Sequence, residues 1–121
     1  MIKVSNLSHS ISGVRILSDI DIAIPKGGVT ALIGPNGAGK STLLSLIARL
    51  EPIQTGTITV DDLTIGSCAS DVLARTLAIL PQTADAAPRL TVRDFVRFGR
   101  YPYHKSRPSD EDKAVVAETL A

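Results

Sequence analysis

Leu32-Ile33-Gly34-Pro35-Asn36-Gly37-Ala38-Gly39-Lys40-Ser41-Thr42-Leu43-Leu44 places three glycines, a lysine and two hydroxyls between apolar runs. Upstream, Val29-Thr30-Ala31-Leu32-Ile33 is short and apolar, which predicts a buried strand. Downstream, Ser41 to Ala48 carries apolar residues at helical spacing with no Gly or Pro, which predicts a helix. The glycines therefore fall in a strand-to-helix turn with the pattern G-x-x-x-x-G-K-[ST] at Gly34, Gly39, Lys40 and Ser41. Gly34, Gly37 and Gly39 admit backbone angles that a Cβ blocks and let amides approach a ligand closely. Those amides, at the positive end of the following helix, form an anion site. Lys40 adds a mobile positive charge for terminal phosphates. Ser41 offers a hydroxyl oxygen to Mg²⁺, and Thr42 can donate to a phosphate oxygen. A nucleotide phosphate is the ligand this spacing predicts.

Size and composition bound what surrounds the loop. The 121 residues make one domain at most, and 44% are hydrophobic, enough for a real core. Net charge is +1, so no strong field argues for nucleic acid or a membrane surface. The lone cysteine, Cys68, excludes an intrachain disulfide and reads as a small packing residue. No stretch approaches the roughly 20 apolar residues of a membrane helix. Met1 to Ser5 lacks a signal peptide's features, so a cytoplasmic location is expected. His9 and His104 lie far apart, with no paired cysteine or carboxylate at ligand spacing, so no zinc site is predicted.

Along the chain, Ile2 to Leu7 and Ile20 to Ile24 alternate and read as strands. Asp19 and Asp21 belong on a wet face of the latter. Pro25 to Gly28 is a turn. Glu51 to Gly56 ends the loop's helix, and Thr57 to Val60 is a β-branched strand. Ser70 to Ala78 reads as a short helix and Leu77 to Leu80 as a short strand. Thr91-Val92-Arg93-Asp94 opens a helix through Phe98, and Ser109-Asp110-Glu111-Asp112 opens another running to Ala121. Gly99 to Pro108 reads as a polar, aromatic loop. The last helix has no stop signal, so the sequence is expected to be part of a longer protein.

Hydrolysis of a nucleotide needs an acidic residue at the end of an apolar strand beside the phosphate loop. The candidate is Ile58-Thr59-Val60-Asp61-Asp62. Its threonines alternate, so one face is expected to be wet, and an Asp-rich hairpin turn is the better reading.

On these residues the whole chain resembles the ATP-binding subunit of ABC transporters. Gly34 to Thr42 looks like that family's Walker A, down to Pro35-Asn36. Gly56-Thr57-Ile58 and the Asp turn look like its antiparallel segment, and Leu80-Pro81-Gln82 like its Q-loop. Phe95 to His104 is similar to a Gly-Arg-x-Pro stretch in ATPases of iron-siderophore, haem and cobalamin importers. Tyr101-Pro102-Tyr103 and the Ser-Asp-Glu-Asp helix start favour the siderophore branch. The resemblance implies an α/β P-loop NTPase of ABC type, N-terminal portion. It would hold an antiparallel β-subdomain, a Walker A strand-loop-helix, the start of a helical subdomain and an incomplete core sheet. Residues 1–121 would be part of a single ATP-binding domain, ending before the signature motif and Walker B.

The resemblance further implies ATP and Mg²⁺ as cofactors. Gly34, Pro35, Asn36, Gly37, Ala38, Gly39, Lys40, Ser41 and Thr42 would bind nucleotide. Ser41 and Gln82 would hold the metal, with Gln82 also reaching the attacking water. Ile11 stands by register where the family has an aromatic residue against the adenine. The implied partners are transmembrane permease subunits, a second ATP-binding subunit in a homodimer and, indirectly, a substrate-binding protein. Nucleic acid is not among them, and the implied place is peripheral, on the inner face of the cell membrane. The implied role is to energise iron-siderophore import in the full-length protein, with this chain alone inactive, weak in nucleotide affinity and prone to self-association. A soluble ABC-type ATPase acting on nucleic acid or ribosomes is the alternative, disfavoured by the Gly99 to His104 loop. A small P-loop kinase or GTPase is disfavoured by Gln82 and the antiparallel segment.

Overall fold

The computed structural model describes residues 1–82 and 89–121. The chain divides into two units, Met1–Ala69 and Ser70–Ala121.

The first unit is built on a four-stranded antiparallel sheet. Its strands are β1 (Ile2–Ile11), β2 (Val14–Ile24), β3 (Thr55–Val60) and β4 (Leu63–Thr64), in the order β2-β1-β3-β4. β1 and β2 run longer than their alternating cores predicted. The reason is the turn between them: Ser12 and Gly13 both take positive φ, 50° and 78°. Two such residues make the tight hairpin turn whose twist matches the strands, so the ladder zips up to Ile11↔Val14. The wet face of β2 is as expected, with Asp19 and Asp21 exposed.

β1 carries a bulge against β3. The register steps from Ser5↔Thr57 to Ser8↔Thr55, so Asn6 and Leu7 oppose Gly56 alone. Gly56 is required there. Its φ is +97°, and a Cβ would stand 2.5 Å from the Asn6 carbonyl oxygen and 2.7 Å from Leu7 Cα.

The Asp-rich segment is a hairpin turn from β3 into β4. Asp61 accepts from the Met1 ammonium at 2.8 Å and lies 3.8 Å from Lys26 Nζ. The bond from that ammonium, above all, with the charge of Lys26, lowers the Asp61 carboxyl below its ordinary range. Asp61 thus ties down Met1, the residue just before β1.

Helix α1 (Lys40–Ile47) follows the glycine loop and buries Leu43, Leu46 and Ile47, spaced i, i+3, i+4. They join Val4, Leu7, Leu17, Ile58, Val60 and Ile65 as the buried apolar residues of this unit. Arg49 terminates the helix in the left-handed conformation, φ 56°. Leu50 N–H donates to Ser45 C=O at 2.8 Å and Arg49 N–H to Leu46 C=O at 3.1 Å, a paired closure of the last carbonyls. The Arg49 guanidinium donates to the carbonyls of Cys68 at 2.6 Å and Ile65 at 3.3 Å.

One expectation fails here. Val29 to Ile33 forms no ladder with any described strand, and Val29 is fully exposed. A strand is a paired state, and the four strands described are paired with one another. β-propensity without a neighbouring edge does not make one.

In the second unit, α2 (Ser70–Thr76) stops two residues short of its expected end. The strand expected at Leu77 to Leu80 is also unpaired, with Leu80 exposed. α3 (Val92–Phe98) begins as read, the Thr91 side chain accepting from Asp94 N–H at 3.1 Å. The Gly99 to Pro108 stretch is not all loop: Tyr101–His104 forms a helical turn, α4. Pro102 in its first turn supplies a pre-set φ where no intrahelical donor is needed. α5 (Asp110–Leu120) opens with a complete capping box between Ser109 and Asp112.

A polar chain runs through this unit. Arg75 donates twice to the Pro102 carbonyl, at 2.9 and 2.7 Å. Arg75 and Arg100 lie against the Tyr103 ring, 5.2 and 4.0 Å from its centroid. Arg100 Nε donates at 2.8 Å to the buried Asp112. The Ser109 backbone amide, with Arg100 and the Ser109 hydroxyl, holds the Asp112 carboxyl down at about 2, against the opposing effect of its burial.

Candidate functional site

The glycine loop is shaped by two residues that L side chains would strain. Gly37 takes φ +82° and Gly39 φ +90°. Gly37 sits third in a turn closed by Ala38 N–H donating to Pro35 C=O at 3.2 Å. Gly39 is the cap of α1 and the only buried residue from Ala31 to Gly39. A Cβ there would meet Leu17 Cδ2 at 2.7 Å, Ile16 Cγ2 at 3.2 Å and the Ile16 carbonyl at 3.3 Å. The loop therefore leans on β2, and Gly39 lets it lean that closely.

The first bond of α1 is Leu43 N–H to Gly39 C=O at 2.9 Å. The amides of Lys40, Ser41 and Thr42 precede it and have no intrahelical acceptor. No side chain caps this helix start. These amides, at the positive end of the helix, are the donors an anion would use.

Lys40 supplies the charge. Its ammonium folds back over the loop and donates to the carbonyls of Gly34 at 2.5 Å and Pro35 at 2.6 Å. An ammonium has three donors, so these two bonds fix its position and leave one for a ligand. Ser41 is exposed in the first turn of α1 and Thr42 is half-buried. The set fits a polyphosphate with its metal: several amides, one fixed cation and two hydroxyls along the nine residues from Gly34 to Thr42.

Gly34 to Thr42 and Ile11 all belong to the first unit. Ile11 closes β1 at the hairpin tip, half exposed, opposite the exposed Val14. β2 thus connects the tip to Ile16 and Leu17, which touch Gly39. Gln82 belongs to the second unit, where it lies exposed in a bend. Sequence reasoning missed Ile16 and Leu17. Their apolar character is ordinary for a strand, and only the fold shows which residues face a glycine more than twenty positions further along the chain.

No helix among the described residues is long and apolar enough to cross a membrane. Among those residues no group of three or more His, Cys, Asp or Glu side chains could hold a metal ion.

Comparison with known proteins fits this geometry. The family described as ABC transporter matches residues 17–121. The petrobactin import ATP-binding protein YclP of Bacillus subtilis (strain 168) is 42% identical over 121 residues, covering 100% of this chain and 48% of the relative. The iron(3+)-hydroxamate import ATP-binding protein FhuC of the same organism is 40% identical over 107 residues, 87% of this chain and 40% of the relative. A solved structure described as an ATP-binding subunit of an ABC transporter superposes with TM-score 0.76 at 28% identity, covering 88% of this chain and 44% of that one. The chain spans about half the length of the curated relatives it matches.

Proposed function

The chain belongs to the ABC transporter family, and from that premise we propose that it is part of the ATP-binding subunit of an iron-siderophore importer. Both units would then be parts of one ATP-binding domain. In the full-length protein, ATP binding and hydrolysis would energise transport through membrane permease subunits. A second ATP-binding subunit would close over the nucleotide, and a substrate-binding protein would deliver the cargo. Such a subunit sits peripherally on the inner face of the membrane. The siderophore assignment is supported by the petrobactin and hydroxamate importers among its relatives.

The observation that carries the proposal is the Lys40 ammonium fixed over a loop whose following amides have no helical acceptor. In this reading Gly34 to Gly39 wrap the phosphates and Lys40 neutralises the terminal ones. The amides of Lys40, Ser41 and Thr42 bind phosphate oxygens. Ile11 presses on the base with an aliphatic contact, forgoing about 1 kcal/mol that an aromatic face adds. Ser41 and Gln82 would hold Mg²⁺, which when bound screens phosphate charge against the incoming water.

By the same proposal, this chain alone does not turn over ATP at a useful rate. An in-line attack needs an acidic residue beside the phosphate loop. Asp61 is committed to the Met1 ammonium and Lys26 in the hairpin turn.

Calorimetric titration with ATP and Mg²⁺ tests the phosphate site. We expect saturable binding, micromolar or weaker, competed by ADP and lost in Lys40→Ala. Equal heats for wild type and Lys40→Ala would refute the site, and a submicromolar constant would refute the weak affinity.

A further inference from the structure

Gln54 makes a contact whose geometry belongs to a β-ladder. Its side-chain Oε1 accepts from Ser10 N–H at 2.9 Å, and its Nε2 donates to Ser10 C=O at 2.9 Å. The two residues are 44 positions apart.

The reason for this clamp lies in the hairpin. In a two-residue turn the flanking pair, Ile11 and Val14, exchange ladder bonds. The next pair, Ser10↔Arg15, is then of the other kind, with its amides and carbonyls turned away from one another. Ser10 thus presents both backbone groups to the opposite edge of β1. β3 serves that edge only as far as Ser8↔Thr55. Gln54 is the residue just before β3, and its primary amide meets Ser10 with its oxygen as acceptor and one of its two N–H groups as donor. It stands in for a further residue of β3.

We infer that Gln54 is a positioning residue: it fixes the hairpin tip bearing Ile11, and so sets the base contact of the nucleotide site without touching the phosphates. The inference rests on the nucleotide reading above. Three features of the tip support it. Ile11 is the last residue of β1, one step beyond the clamp. β2 holds one edge of β1, and without Gln54 the other edge of Ser10 is left to water. The phosphate loop, by contrast, is held by its own turn, by Lys40 and by the lean of Gly39 on Ile16 and Leu17. Base contact and phosphate contact therefore depend on different bonds.

The test compares two ligands on two variants of the full 121-residue chain. ATP reports both contacts, and inorganic tripolyphosphate reports the loop alone. Gln54→Ala is expected to weaken ATP about fivefold, the worth of about one net hydrogen bond, and to leave tripolyphosphate within about twofold. Gln54→Glu keeps the length but sets an acceptor-only carboxylate oxygen against the Ser10 carbonyl, so it should weaken ATP at least as much as Gln54→Ala and likewise spare tripolyphosphate. Amide hydrogen exchange should speed at Ser10 in Gln54→Ala while Leu7 and Leu46 stay protected. A parallel loss for both ligands would mean that Gln54 merely stabilises the unit and would overturn the positioning role. Unchanged ATP affinity would overturn it as well. Wild type that binds neither ligand would instead sink the nucleotide reading, a result that Lys40→Ala reports independently.

Discussion

Gly56→Ala puts the bulge between β1 and β3 to a quantitative test. Two penalties apply to it. Gly56 sits at φ +97°, and a left-handed conformation costs an L residue about 1–2 kcal/mol. The added Cβ would also stand 2.5 Å from the Asn6 carbonyl oxygen and 2.7 Å from Asn6 C and Leu7 Cα. All three are backbone atoms, so no rotamer change relieves the contact, and the strands must separate. Overpacking of this kind costs about 1–3 kcal/mol. The sum is about 2–5 kcal/mol, against a whole-domain stability of about 5–15 kcal/mol. Gly13→Ala is the internal control. It has a positive φ, +78°, but nothing within 4 Å of the new Cβ, so only the conformational penalty of about 1–2 kcal/mol applies. Urea unfolding followed by far-UV circular dichroism measures both. Gly56→Ala should lower the midpoint about 1.5 to 4 times as far as Gly13→Ala. Equal shifts for the two, or Gly56→Ala within about 0.5 kcal/mol of wild type, would show that the bulge does not hold the backbones as close as described.

Three other outcomes are expected. Ser41→Ala should abolish the gain in ATP affinity that added Mg²⁺ gives, while leaving tripolyphosphate binding without metal within about twofold; an undiminished Mg²⁺ effect in calorimetry would remove Ser41 from the metal site. The Asp112 carboxyl is held at about 2 when folded and near 3.9 when unfolded. Its contribution is therefore fully present above about pH 4 and is lost as pH falls from there to about 2. Unfolding midpoints measured across that window should drop in wild type and change less in Asp112→Asn, and parallel curves would contradict the assignment. A phosphate-release assay on the 121-residue chain should show no turnover above a Lys40→Ala control. Turnover comparable to an intact ATPase, abolished by Lys40→Ala, would refute the proposed inactivity.

What could be read in the sequence was local. The loop from Gly34 to Thr42 announces itself because its glycines, lysine and hydroxyls act within eight residues of one another. Thr91 and Ser109 cap the helices they were expected to cap, since a cap is a contact across three residues. The Asp61 turn was legible from the alternation of Thr57 and Thr59 before it. The misreadings concern pairing. Val29 to Ile33 and Leu77 to Leu80 have strand-like residues, but residue type alone supplies no partner edge. Tyr101 to His104 escaped notice because aromatic and proline content suggested loop, although proline in a first turn is a helix signal. Gln54 gave no sign at all. Its role depends on where β3 stops relative to a hairpin 44 residues earlier, and no window of sequence contains both.

The unladdered run from Val29 to Ile33 bears on how the molecule meets a protease. Endoproteases thread five or six residues of substrate through an extended cleft, and they need backbone that is not already engaged. Val29 is wholly accessible and Ile33 nearly so, so brief digestion should nick this run before it touches the sheet. The cut would separate the β1–β2 hairpin from the glycine loop in the chain, leaving two pieces still joined by the backbone ladder between β1 and β3. Any binding event that gives this run a neighbour will slow the cleavage, and the survival of the intact band then becomes a simple gauge of such assembly.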